Sequence, residues 1–195
     1  MSTPRIPKAE LRGPYGYVVK RFSRKLLGEV PDGVAVMWHN RPVLMGMTAM
    51  GRKVQKWDQL DPNLKSFAHM AVAAHVGCSF CLDFNYFHVH NEGLDELKAS
   101  EVPRWRESAV FTPLERDVMG YAEAMSETPP QVSDELSARL LEQLGEAALV
   151  ELTAVIGFAN LAARVNIAMG IPSQEFSKVC AVPLAQPSPR ATVSV

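Results

Sequence analysis

The chain has few cysteines, almost no net charge and no long apolar run. Three cysteines in 195 residues are too few for a disulfide-stapled scaffold. With 20 Lys and Arg against 21 Asp and Glu, the formal net charge is -1. That balance excludes a general nucleic-acid binder held by phosphate contacts. No apolar run approaches the roughly 20 residues of a membrane span, so no membrane role is expected. The start, MSTPRIPKAELRGPYG, has charges and prolines where a secretory leader needs an apolar stretch, so the expectation is a cytoplasmic protein. Period-two alternation is scarce, which argues against strands. What is there is ordinary for a globular domain: 47% hydrophobic and 21% charged residues. A single domain of this length buries roughly 70% of its unfolded surface and needs no staples.

The periodicity is helical, and the reading is all-α with seven to nine helices. Residues 1–16 read as an N-terminal arm, 17–176 as one helical domain and 177–195 as a flexible, Pro- and Ser-rich tail. Helical spacing begins at Tyr17. The Asn40-Arg41-Pro42 step divides the next segment into two helices. Asp61-Pro62 and Thr112-Pro113 pair a cap residue with proline at the first helical position, and Glu115 completes a capping box with Thr112. Gly77 predicts a break just before Cys78, with a new helix ending near Asn91–Gly93. Pro129 and Pro130 end a helix, Ser133 starts one and Gly145 closes it. Glu146 to Met169 is the longest periodic stretch.

The sharp chemical signal is Cys78-Ser79-Phe80-Cys81. Residues three apart on a helix share a face, so the two sulfurs can reach bonding distance. At a helix N-terminus, unpaired N–H groups and the positive dipole end stabilise a thiolate, the attacking species in peroxide reduction and disulfide exchange. A second thiol can resolve a sulfenic acid before further oxidation. Two other readings stay open. A zinc site needs two more ligands, and His75, His88 or His90 lack the usual spacing from the pair. The cysteines can also be small apolar residues packed in a core helix. Cys180, near the tail, reads as incidental.

Candidate partners of the pair follow from helical spacing. His75 precedes Cys78 by three residues and faces it if the helix runs on. His88 lies two turns after Cys81. Either can act as a base near neutral pH, or be an ordinary core or surface histidine. Asp83 points partly away from Cys81, and Asn85 shares its face but cannot shuttle protons. The last long helix carries Asn160, Arg164 and Asn166. Asn160 and Arg164 share a face, and they either line a pocket or satisfy helix ends or a subunit interface.

The stretches AAHVGCSFCLDFN, TPLERDVMGYAEAMSETPPQVSDEL and LVELTAVIGFANLAARVNIAMGI resemble the carboxymuconolactone decarboxylase family, in particular its alkylhydroperoxidase D (AhpD)-like branch. The resemblance covers roughly residues 30–172. It implies an all-helical AhpD-like fold with the CxxC at the N-terminal end of a helix, and a homo-oligomer. It implies that Cys81 attacks and Cys78 resolves, the reverse of the order suggested by helix position alone. The implied activity is thiol-dependent reduction of a small hydroperoxide or disulfide, with the pair reset by an external dithiol reductant and no organic cofactor or metal required. The redox branch has a glutamate twelve residues before the first cysteine and a histidine four after the second. This chain has Ser66 and Asn85 there, so its proton relay must be rebuilt from His75, His88, Asp83 or Glu151, or the peroxidase activity is weak. The alternatives are a decarboxylase-type lyase or hydrolase acting on a small carboxylated or lactone substrate, and a helical binding protein without turnover.

Overall fold

The structure, a computed structural model, describes residues 3–186. Among the described residues the secondary structure is helical throughout, with no strand. The first helix, α1 (Gly13–Leu27), begins before Tyr17 because Pro14 sits in its first turn, where a missing N–H costs nothing. The arm before it is tied to the body. Arg5 N donates to Met169 O at 2.9 Å, and the Arg5 guanidinium donates to Ile167 O and Ala168 O. A cation is thus placed on the free carbonyls of a helix C-terminus. Then α2 (Asp32–Met37) and α3 (Arg41–Lys56) meet at a short 3-10 turn. Asn40 caps α3 by accepting from Val43 N, as the Asn-Arg-Pro step predicts.

The central helix is α4 (Pro62–Val76), capped by the Asp61 carboxylate. Its residues Phe67, Ala68, Met70, Ala71 and Val72 are buried on all sides of the helix. Such a helix has no polar face to give to water and therefore lies in the middle. It packs against α5 (Ser79–Glu92), α7 (Pro113–Ser126) and α8 (Asp134–Met169), and α6 (Glu96–Glu101) covers one end of the bundle. The predicted capping box of Thr112 and Glu115 starts α7. Its Glu115 also pairs with Lys98 of α6 at 2.7 Å.

The predicted division at Gly145 is present: its φ of 75° and ψ of 170° interrupt α8. The membrane reading of the sequence needs one correction, since α8 is long and apolar enough by composition to cross a bilayer. Its apolar residues Leu152, Val155, Ile156, Ala159 and Ala163 are instead buried within the protein. Val150, Leu161 and Ile167 on the same helix stay exposed.

The C-terminal segment is corrected as well. Residues 177–186 run as a strap across α5 and α6 rather than as a free tail; 187–195 lie outside the described residues. Phe176 anchors the strap among Phe80, Phe84 and Phe87 of α5, with ring centroids 5.9–6.2 Å away. Tyr86 Oη donates to Val182 O at 2.6 Å, Val182 N donates to Glu96 Oε1 at 3.0 Å, and Ala185 N donates to Ser100 O at 2.9 Å. Prolines and serines read as disorder by composition, but three backbone bonds and a buried ring outweigh that composition here.

Candidate functional site

The site grows from the turn between α4 and α5. Gly77 closes α4 in the left-handed conformation, φ 83°, which an L side chain adopts only with strain. The chain therefore turns, and Cys78 becomes the N-cap of α5, its Sγ accepting from Cys81 N at 3.2 Å. Cys81 falls in the first turn. The Cα atoms of Cys78 and Cys81 are 5.3 Å apart and the two sulfurs are joined as a disulfide. That Cα separation is within the range a disulfide spans.

Both cysteines are buried, Cys78 at 2% and Cys81 at 5% relative exposure, and they differ in their neighbours. Cys78 lines an open cleft of about 670 Å³ between the α4–α5 turn and the strap, with Ala74, Leu82, Ser173, Cys180 and Leu184 among its walls. Cys81 faces α8, where Asn166 Nδ2 donates to its Sγ at 3.4 Å. Asn166 is buried, and its Oδ1 is buried without a hydrogen-bond partner. An amide held that way, one end on sulfur and the other unsatisfied, carries a cost that packing alone does not require.

Asp83 builds the wall of the cleft. Its buried carboxylate accepts from Ser173 Oγ at 2.8 Å, Phe176 N at 3.1 Å and Ser177 N at 2.8 Å. These bonds hold the segment 173–177 in place over α5. Within it Glu175 has φ 62°, a left-handed backbone that a non-glycine residue keeps only when its surroundings enforce it. Ser173 N also donates to Ser79 Oγ, next to Cys78.

The other candidates lie elsewhere. His75 lies on the face of α4 that meets the end of α7, 2.7 Å from Glu127 and 3.8 Å from Glu123, and the break at Gly77 takes Cys78 off that face. His88 lies near His69, and burial together with His88 pushes the His69 imidazole down to about 4. Among the described residues, no hydrogen bond joins His75 or His88 to either sulfur. Asn85 donates to Cys81 O at 2.6 Å, so it meets the backbone and not the thiol. Glu151 is engaged by Lys65 Nζ at 2.7 Å and Gln59 N at 2.8 Å. Asn160 donates to Ser126 Oγ at 2.9 Å, and Arg164 donates to Ser126 O at 2.6 Å. That pair satisfies the C-terminal end of α7, the structural one of its two readings. Sequence reasoning missed Asn166 as a partner of Cys81, and it missed the 173–177 segment. An asparagine in an otherwise apolar stretch was the available signal, but the 85 residues between Asn166 and Cys81 hide the pairing.

The comparisons with known proteins agree with this picture. A model of the carboxymuconolactone decarboxylase family matches residues 42–124. The chain is 37% identical over 158 residues to YnjA of Escherichia coli (strain K12), covering 80% of this chain and 86% of that protein. Among solved structures, an alkylhydroperoxidase AhpD core from Ralstonia eutropha JMP134 superposes with a TM-score of 0.78 at 19% identity, over 92% of this chain and 97% of that one. The debrominase Bmp8, solved in complex with 2,3,4-tribromopyrrole, gives a TM-score of 0.76 at 18% identity, over 90% and 96%. An all-helical bundle around a CxxC turn, a family model that matches across that turn and a relative aligned along most of the chain lead to one assignment: the chain belongs to the carboxymuconolactone decarboxylase family and has the AhpD-like fold.

Proposed function

We propose that the protein is a dithiol–disulfide oxidoreductase that reduces a small hydroperoxide through the Cys78–Cys81 pair. The observation that carries this reading is the asymmetry of the pair: Cys78 borders the cleft and the Cys81 sulfur receives the Asn166 amide. An external dithiol entering the cleft attacks the cleft-lining residue of the pair, Cys78, and Cys81 leaves with the electron pair of the S–S bond. The leaving thiolate is stabilised by the first turn of α5 and by Asn166 Nδ2. A second thiolate of the donor then displaces Cys78 from the mixed disulfide, which gives the reduced pair.

In the oxidising half, the Cys81 thiolate attacks the terminal peroxide oxygen. The O–O bond breaks, the alkoxide leaves and takes a proton from water, and Cys81 becomes a sulfenic acid. Cys78 attacks that sulfur, water leaves and the disulfide reforms. The two donor electrons end on the alcohol. Among the described residues no histidine or glutamate is hydrogen-bonded to either sulfur, so protons come from solvent in the cleft, which fits a modest turnover. The expected homo-oligomer is part of the same proposal. Val18, Phe22 and Leu26 leave an apolar stripe of α1 exposed, a surface that a second copy would cover.

The test is hydroperoxide consumption with a dithiol donor. Cys81→Ser is expected to lose turnover by about 100-fold or more, as removal of a nucleophile does. Cys78→Ser is expected to stop after one turnover, with a sulfenic acid on Cys81 that a dimedone-type probe traps. Wild-type peroxide consumption by Cys81→Ser would sink the proposal. Opening of a lactone by the Cys78→Ser/Cys81→Ser double variant would replace it with the decarboxylase-type reading.

A further inference from the structure

Away from the cysteine pair, a second set of ligating side chains gathers where the strap crosses α5 and α6. His90 is in the last turn of α5, Glu96 opens α6, and Cys180 follows the 3-10 turn of the strap. One donor atom from each, an imidazole nitrogen, a carboxylate oxygen and a thiol sulfur, lies within 4.8 Å of the other two. All three residues are partly buried. His90 Nδ1 is 2.7 Å from Glu96 Oε2. The other carboxylate oxygen accepts from Val182 N at 3.0 Å and lies 3.5 Å from Tyr86 Oη. The carboxylate is therefore fixed by strap backbone and aimed before any ligand arrives.

The donor types select the ligand. Calcium and magnesium take oxygen ligands, whereas a thiolate with an imidazole and a carboxylate suits a borderline-soft divalent ion of tetrahedral habit. Three protein donors also leave the fourth tetrahedral position to water or a small ligand. We propose that His90, Glu96 and Cys180 bind one zinc ion, which clamps the strap 177–186 to α5 and α6. The redox pair is not part of this site. Cys180 and Cys78 do line the same cleft, so the ion stabilises one wall of it.

On binding, the thiol proton of Cys180 goes to solvent and the His90 nitrogen exchanges its contact with Glu96 for the metal. The competing role for Cys180 is attack on the Cys78–Cys81 disulfide. Burial, with Glu96 and Asp83 adding to it, pushes the Cys180 thiol up to about 11. Its sulfur is grouped instead with the donor atoms of His90 and Glu96, within 4.8 Å of both. A bound cation reverses the sign of that environment.

The experiment uses the full chain in its disulfide form, where Cys78 and Cys81 cannot compete for metal. Cobalt(II) serves as the spectroscopic probe and zinc as the competitor. A thiolate-to-cobalt charge-transfer band that saturates at one equivalent and is bleached by zinc is the expected result. Zinc should also slow alkylation of Cys180 by about tenfold or more. Cys180→Ser should lose the band, and His90→Ala should weaken cobalt binding by about tenfold or more. The absence of a band, a band that survives in Cys180→Ser, or alkylation unchanged by zinc would each overturn the proposal. If Cys180→Ser loses its helical circular dichroism, the alkylation rate of the wild type and the titration of His90→Ala decide alone. Peroxide turnover enters none of these readouts, so this site can fail while the redox reading stands, and the reverse.

Discussion

Two regions of the molecule use their polar side chains differently. In the seam between α7 and α8, the Asn160 and Arg164 side chains both bond to Ser126, and His75 meets Glu127 and Glu123. These groups close a helix end and hold two helices together. At the α4–α5 turn, by contrast, Asn166 leaves a buried acceptor unpaired and spends its amide on sulfur. Asp83 concentrates three hydrogen bonds on one short segment beside the cleft. The first set is satisfied and stabilises the fold, whereas the unpaired Asn166 acceptor beside Cys81 is the feature on which the proposed chemistry rests.

The largest effect expected from breaking this contrast is at Asp83. Asp83→Ala removes three bonds to a buried carboxylate and should destabilise the protein by about 3 kcal/mol in urea titration. The Cys78 side of the cleft should open in hydrogen exchange, with fast exchange at residues 173–177. Native stability in this variant would show that the strap holds itself.

Next is His69, which lies between the two regions on α4, its ring edge-on to Phe158 of α8. Burial, with His88 adding to it, pushes its imidazole down from the ordinary 6.5 to about 4, so the unfolded state binds the proton more readily. The stability is therefore fully present above pH 6.5 and is lost as pH falls from there towards 4. The loss should reach about 2 kcal/mol by roughly pH 5. His69→Asn should flatten that slope, and an equal slope in the variant would assign the acid sensitivity to other groups.

Asn166→Ala sharpens the comparison on the chemical side. It takes one donor from the Cys81 thiolate, so alkylation of Cys81 in the reduced protein at neutral pH should slow by about tenfold. The lost rate should return as pH is raised, a recovery that a purely structural defect would not give. On the other side of the contrast, Arg164→Met should cost about 1 kcal/mol of stability and leave peroxide turnover within about twofold of wild type. A large loss of turnover there would move the boundary of the site to α7.

Much of the fold was legible because its signals are local. Proline and asparagine at 40–42, the Asp61 and Thr112 caps, Gly77 and Gly145 each act within one turn of chain, and the structure has helix boundaries at all of them. The strap was misread because its composition suits a loop and its anchors lie far away: Phe176 needs the aromatic face of α5, and Val182 needs Glu96. The histidines were placed by helical spacing, which holds only while a helix continues. The left-handed turn at Gly77 ends that continuity and takes Cys78 off the face on which His75 meets α7.

By itself the sequence determined that the chain is helical, where most helices start and stop, and that two thiols three residues apart share the first turn of one of them. Those properties depend on φ preferences, caps and short spacings, all contained in neighbouring residues. Tertiary structure alone decided which cysteine lines the cleft, which polar groups reach the pair and which only close helix ends. Those choices depend on where α8 and the strap come to rest against α5. That placement is set by the burial of side chains contributed by the whole chain, and no local spacing records it.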